Sequence, residues 1–367
     1  MLKNVKLKEL GEIFTGSTPS KKNKEFYNSE DIMFIKPDIL DFDIVNIGVS
    51  NEYISEKARE KARIIPANSL LVSCIGSIGK LGINEKEVAF NQQINAIVPN
   101  NKIKSSRYLA YLLKYNQKKL ESIANAPVVP IINKTQFSEF EVLIHENLNF
   151  QEQITQILDK SKEIIEKRKE QIQFLDKLVK SKFIEMFGDP VTNLKKWDKV
   201  AIGEMFEIKT GATPSRKENS YWEGGTIPWV KTTELKEYII NETEEYITED
   251  GFNNSSVNLL PKDTILIAMY GQGKTRGMTG KLGIEATTNQ ACAAILPNNN
   301  ENMDFVWYQL RLLYDELRAL GQGGSQPNLN TNLVKTYQLI FPPVELQNEF
   351  ERFIKHIDKL KFILHLV

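Results

Sequence analysis

The chain has 367 residues, with 47 Lys and Arg balanced by 47 Asp and Glu, so two to three domains are expected and a uniformly basic nucleic-acid coat is excluded. A hydrophobic fraction of 41% and a charged fraction of 26% exclude wholesale disorder, while a local basic groove stays possible. Two Cys exclude a disulfide scaffold or a four-Cys zinc site, and three His argue against a dedicated metal site or His-based catalysis.

The N-terminus is charged from Lys3 and has no signal-peptide core. No stretch nears the ~20 apolar residues of a membrane span, so a cytoplasmic protein is expected. Leu7-Lys8-Glu9-Leu10, Ile13 and Thr15-Gly16-Ser17-Thr18-Pro19-Ser20 return as Ile202-Gly203-Glu204-Met205, Ile208 and Thr210-Gly211-Ala212-Thr213-Pro214-Ser215. This spacing of 195 positions, from Gly16 to Gly211, holds from Tyr27 with Trp222 to Leu70-Leu71-Val72 with Ile265-Leu266-Ile267. Extra residues then enter near 271–279. Register is expected to return at Lys80-Leu81-Gly82-Ile83 with Lys281-Leu282-Gly283-Ile284, and again at Asn91-Gln92 with Asn289-Gln290 and Gln151 with Gln347. The chain thus reads as a domain of about 190 residues duplicated, far longer than a solenoid repeat.

Within each copy, 69–75, 89–98, 264–270 and 290–296 are apolar runs bounded by turn residues and predict buried strands. Leu109, Leu112 and Leu113, like Val306, Leu310, Leu313 and Leu317, predict helices over 107–125 and 303–320. From 149 to 187 there is no Pro or Gly, and Leu158, Ile165, Ile172, Val179 and Met186 recur every seven residues beside a row of Ile157, Ile164 and Leu178. This predicts a long amphipathic helix of coiled-coil character, stopped by Gly188-Asp189-Pro190. A second such helix begins near Glu345, carries Phe350, Ile354 and Ile357, and is only a little over half as long. Antiparallel pairing of the two would hold two globular units at opposite ends of a rod.

No constellation of nucleophile, base and orienting group emerges. The run 268–275 fits a relaxed phosphate-loop pattern, but the glycines after it disfavour the helix such a loop must open. The fold class expected is α+β, and catalytic and metal residues are expected to be absent.

The repeated Thr-Gly-x-Thr-Pro-Ser turn, Asn-Gln, the stretch Gly324-Ser325-Gln326-Pro327-Asn328-Leu329-Asn330 and the Gln-containing helix starts resemble the specificity subunit of type I restriction–modification enzymes over nearly the whole chain. The resemblance implies two target recognition domains (1–147 and 189–343), each followed by a spacer helix (148–188 and 344–367, the second shortened). Each domain would read one half of a bipartite site in double-stranded DNA. The helices would set the gap and dock two modification subunits, through which restriction subunits join. S-adenosylmethionine, ATP and Mg would serve only those partners. A self-contained nuclease or DNA methyltransferase with an unrecognised motif is the alternative, and a coiled-coil protein without a DNA role is a third.

Base edges are read by Arg, Lys, Asn and Gln, and phosphates are held by Lys, Arg, Ser and Thr. Candidates in the first copy are Lys21, Lys22, Lys36, Ser73, Ser77, Lys80, Asn91, Gln92 and Gln93. Those in the second are Arg216, Lys217, Lys231, Thr232, Gln272, Lys274, Thr275, Arg276, Lys281, Gln322, Ser325, Gln326 and Asn328. Helix packing and partner docking are assigned to Leu158, Ile165, Ile172, Val179, Met186, Phe350, Ile354 and Ile357. Phe34 and Trp229 are expected in the core.

Overall fold

The computed structural model describes residues 1–124, 129–271, 273–298, 300–321 and 328–366, with His365 and Leu366 as backbone only. Two compact units divide the chain, Met1–Glu166 and Lys167–Val367, and the helix Leu148–Phe187 runs through the division.

In the first unit a five-stranded sheet has the order Gly11–Thr15, Ile94–Pro99, Leu70–Ser73, Leu81–Asn84, Ile44–Ile47. The second unit repeats that order with Ile208–Thr210, Cys292–Ile295, Ile265–Ala268, Thr279–Leu282 and Ile239–Ile240. In both, the last strand joins in parallel and the others are antiparallel. The central strand is apolar on both faces because both are covered. Leu70 and Val72 pack with Leu109 and Leu113 of the helix Ser106–Tyr115, whereas Leu71 joins Met33, Ile35 and Phe90 of a second sheet. Ile265 and Ile267 face Phe305 and Leu310, and Leu266 and Ala268 face Val230 and Ala286. Phe34 and Trp229 are buried as expected.

Three local expectations change. The run 89–98 is two strands, Val88–Phe90 and Ile94–Pro99, and its counterpart is Thr287–Thr288 and Cys292–Ile295. A tight turn breaks each, because the side-chain oxygens of Asn91 and Asn289 accept the N–H groups two residues on. The helices over 107–125 and 303–320 each break in two, after Tyr115 and after Leu312. Asn116 and Leu313 leave helical geometry there with ψ of 13° and 14°.

The third change concerns the repeat itself. Leu70 pairs with Ile83 and Ile265 pairs with Lys281. Gly82 therefore corresponds to Gly280, not Gly283. Both glycines lie beneath a Leu–Ile pair: an added Cβ would stand 2.6 Å from Leu40 and Ile47 in one, and 3.1 and 2.9 Å from Leu235 and Ile240 in the other. A single insertion of three residues in the 269–278 turn accounts for the offset, since 13 positions separate Leu70 from Ile83 and 16 separate Ile265 from Lys281. The matching Lys-Leu-Gly-Ile strings are a coincidence of sequence.

Each unit grips the helix that follows it through one buried glutamine. Gln151 accepts from Lys104 N–H at 2.8 Å and donates to Lys102 and His145 carbonyls at 3.0 and 2.7 Å. Gln347 accepts from Asn302 N–H at 3.1 Å and donates to Glu301 and the Pro342 carbonyl at 2.6 and 2.8 Å. The long helix ends where Gly188 takes a φ of +77° and donates to Ile184 at 2.8 Å, a left-handed cap.

Within the second unit, the end of the long helix pairs antiparallel with Val344–Leu366. Phe350 lies 5.6 Å from Phe187 and 5.3 Å from Phe183, while Lys361 reaches back to Asp176 at 2.6 Å. Val179, Phe350, Ile354 and Ile357 are buried in this seam, with Met186 partly buried beside them. Earlier along the long helix, Leu158 and Ile165 are exposed and Ile172 is half-buried. Phe183→Ala, which empties a fully buried site, should lower the stability of the second unit by about 3–5 kcal/mol. Denaturant unfolding checks this; a loss under about 1 kcal/mol would mean that the seam is not tightly packed.

Candidate nucleic-acid interface

Main-chain hydrogen bonds gather the predicted loops at one end of each five-stranded sheet. In the first unit Cys74 N–H donates to Gln93 at 2.8 Å, Asn91 N–H to Ile35 at 3.0 Å, Gly16 N–H to Ile94 at 3.1 Å, and Ile132 N–H to Cys74 at 2.8 Å. The second unit repeats the scheme through Met269 to Ala291 at 2.8 Å, Asn289 to Val230 at 3.2 Å and Leu329 to Met269 at 2.9 Å. The Thr-Gly turn packs flush on this rim. A Cβ on Gly16 would stand 2.1 Å from the Asn91 carbonyl, and one on Gly211 2.0 Å from that of Thr288, so neither position admits a side chain. Thr18 then donates to Gln92 at 2.6 Å, and Thr213 donates to Gln290.

This arrangement brings together Lys36, Ser77, Lys80, Gln92 and Gln93 in the first unit, and Lys231, Thr232, Lys274, Thr275, Arg276 and Asn328 in the second. Lys21, Lys22, Arg216 and Lys217 are exposed beyond the Thr-Pro turns. Lys80 lies 5.7 Å from the Phe42 ring. The second unit's longer turn is buttressed from below: Tyr314 donates to the Lys274 carbonyl at 2.7 Å and Arg318 to the Arg276 carbonyl at 3.2 Å. The strand before this turn leads to the strand Thr279–Leu282 rather than to a helix, so it makes no phosphate loop.

Three candidates are buried rather than displayed at the rim. Ser73 is fully buried; its hydroxyl donates to the Ser77 carbonyl and accepts from Lys80 N–H at 2.9 Å, closing the turn. Asn91 is buried and bonds Gln93 through both ends of its amide, at 2.9 and 3.1 Å. Lys281 is only 5% exposed and pairs with Asp304 and, at 3.2 Å, with Asp263. Its place on the strand corresponds to Ile83, which turns it toward the helix Met303–Leu312 and away from the rim. Gln272, Gln322, Ser325 and Gln326 lie outside the described residues.

Two of the rim lysines are paired with acids. Lys36 pairs with Glu52, and Lys231 pairs with Glu244 and Glu245 at 2.9 and 2.8 Å. Arg216 lies 3.6 Å from the Trp222 ring and 4.8 Å from that of Trp229, with a nitrogen 2.5 Å from Glu245. Hydrogen bonds donated to Glu245 and Glu244 raise the Lys231 ammonium above its ordinary pKa. Burial opposes the charged form of Glu245, but the bonds from Arg216 and Lys231 outweigh it and hold the carboxyl below the usual range. Sequence reasoning missed these acids, although Glu52 and Glu245 fall 16 and 14 residues after their lysines. It also missed Tyr314 and Arg318, which no motif marks.

Among known proteins, the sequence model of the type I restriction modification DNA specificity domain matches residues 2–173 and 194–365. The chain is 25% identical to the type I restriction enzyme MjaIX specificity subunit of Methanocaldococcus jannaschii, over 95% of this chain and 85% of that one. It is 26% identical to the EcoR124I/EcoR124II specificity subunit of Escherichia coli, over 58% of this chain and 52% of that one. In fold it resembles the type I S subunit from M. genitalium, with TM-score 0.57 and 17% identity over 100% of this chain and 94% of that one. It also resembles a chain from a type I R-M assembly, with TM-score 0.62 and 14% identity over 100% and 91%. With both halves matched, the chain belongs to the type I restriction–modification DNA specificity family and carries its domain twice.

Proposed function

We propose that this chain is the non-catalytic, sequence-reading subunit of a cytoplasmic type I restriction–modification complex. Each unit reads one half of a bipartite site in double-stranded DNA. The observation that carries the reading is the duplicated rim: one main-chain scheme, built twice, displaying different side chains. Lys36, Ser77, Lys80 and Gln92 face one half-site, and Lys231, Lys274, Thr275 and Arg276 face the other. The conserved scheme supplies a platform, and the differing side chains supply two specificities.

The chemistry is assigned to partners. Two modification subunits carry S-adenosylmethionine, and restriction subunits bound through them use ATP and Mg; this chain holds none of the three. Burial pushes the thiols of Cys74 and Cys292 up to about 12, so neither is a nucleophile at neutral pH. The exposed apolar row Ile157, Leu158, Ile164 and Ile165 offers a docking face for the modification subunits. Among the described residues no helix is long and apolar enough to cross a membrane.

Co-expression with modification subunits, followed by mapping of methylated adenines, should give a two-part motif with a fixed gap; a continuous motif would refute two separate readers. Arg276→Ala should weaken or relax one half of that motif, by about 1–3 kcal/mol, and leave the other intact. Equal loss in both halves would contradict modular reading. Ile165→Asp should shift the stability of the free chain by no more than about 0.5 kcal/mol, since the side chain is already exposed, yet reduce co-purification with the modification subunits. Unreduced co-purification would remove the row from the docking face.

A further inference from the structure

Lys36 and Lys231 are held in the same way by acids at equivalent positions. Phe34 N–H donates to the Glu52 carbonyl at 2.9 Å, and Trp229 N–H to the Glu245 carbonyl at 2.9 Å. Ser50 and Thr243, two residues before each acid, both donate to the carbonyl of the same aromatic residue, at 3.0 and 3.1 Å. The duplication has therefore kept a strand pair that presents a carboxylate to the lysine following the aromatic. It has kept this although the loop between lysine and acid differs in length by two residues, 16 positions against 14.

The second unit extends the pair. Glu245 also binds Arg216, whose guanidinium is stacked on Trp222 and Trp229. Arg216 follows the Thr-Pro-Ser turn as Lys21 does in the first unit, and Lys21 lines the same shallow cavity as Glu52. A cation meant only to hold phosphate gains nothing from a standing carboxylate. Such a partner weakens every DNA complex unless the complex supplies enough alignment to displace it.

We propose that Glu52 and Glu245 are specificity-determining residues, carboxylates that compete with DNA phosphate for Lys36, Lys231 and Arg216. On a non-cognate duplex, loosely seated phosphates leave the ion pairs closed. On a cognate half-site, base contacts fix the backbone against the rim and the cations exchange carboxylate for phosphate. Each pair is partly solvent-exposed and so weak enough to exchange. The released carboxylate stays beside the phosphates as a like charge, which penalises any duplex not held in register. This inference rests on the DNA-reading role proposed above.

The test compares the full chain with Glu52→Gln, Glu245→Gln and the double variant on two duplexes, one bearing the mapped motif and one scrambled, across a salt series. The double variant should bind the scrambled duplex several-fold more tightly, with a salt slope steeper by about 0.9 for each of the freed cations Lys36 and Arg216, while Lys231 keeps Glu244. The motif duplex should gain less, so discrimination falls. In a Lys36→Gln, Lys231→Gln, Arg216→Gln background the same acid substitutions should change discrimination little. Unchanged scrambled-duplex binding, equal gains on both duplexes, or weaker binding at an unchanged melting temperature would each overturn the proposal. The single variants probe separate units, so if one acid is needed for folding the other still decides. A wild-type chain that binds neither duplex, or both alike, would instead remove the DNA-reading role and this inference with it.

Discussion

The main-chain bond between the end of the central strand and the turn beside it fixes where everything else in a unit can go. Cys74 to Gln93 and Met269 to Ala291, both 2.8 Å, tie two turns to one end of the sheet. Backbone groups at a strand end must find partners, and here they find each other across loops rather than in water. The glycine of the Thr-Gly turn and the residues Ile132 and Leu329 are drawn to the same place by the same need. The platform thus rests on main-chain groups, on Gly16 and Gly211 and on the turn-forming Asn91 and Asn289, and asks nothing of the side chains that project from the turns. This leaves side chains in the turn between Leu70–Ser73 and Leu81–Asn84, and in its longer counterpart in the other unit, free to differ between copies.

That freedom is visible in how the cations are supported. In the first unit Lys36 meets one acid, and Lys21 stands exposed near it. In the second, Lys231 and Arg216 converge on Glu245 above two tryptophans, and a buried Glu234 accepts from Lys231 N–H at 2.8 Å and from Glu244 N–H at 3.0 Å. The second rim is more rigidly braced, and its longer loop is braced again by Tyr314 and Arg318. A rim contact positioned by several bonds loses less side-chain freedom on binding than a free lysine does.

The duplication, the long helix and the buried strands were legible in the sequence because each depends on apolar spacing or on repeated turn residues. Gln151 and Gln347 were legible as a repeat, though not as clips. What failed has a common cause: sequence shows residue type but not which way a strand turns it. Lys281 looked like a rim cation because Lys80 precedes an identical Leu-Gly-Ile string. Strand pairing instead makes it the counterpart of Ile83, and a lysine there is buried against Asp263 and Asp304. Ser73 and Asn91 have side chains suited to base edges, but short polar side chains at strand ends serve their own turns first. The breaks at Asn116 and Leu313 escaped notice because helical spacing of apolar residues continues across them.

The heptad row of the long helix has one period but two environments. Its last part, Val179 to Met186, meets Phe350, Ile354 and Ile357 in the second unit's core. Its earlier part carries Ile157, Leu158, Ile164 and Ile165 in the open. Exposed single apolar residues need no explanation, but a row at helical spacing exposes a continuous patch, and water penalises such a patch in proportion to its area. Nothing in helix propensity requires β-branched residues there; Ile is a poorer helix former than the Lys, Glu and Gln that fill the rest of the helix. Retaining Ile at 157, 164 and 165 therefore runs against both solubility and local preference. The row makes physical sense when those side chains are covered by a partner, which is the physical ground for proposing it as a docking face.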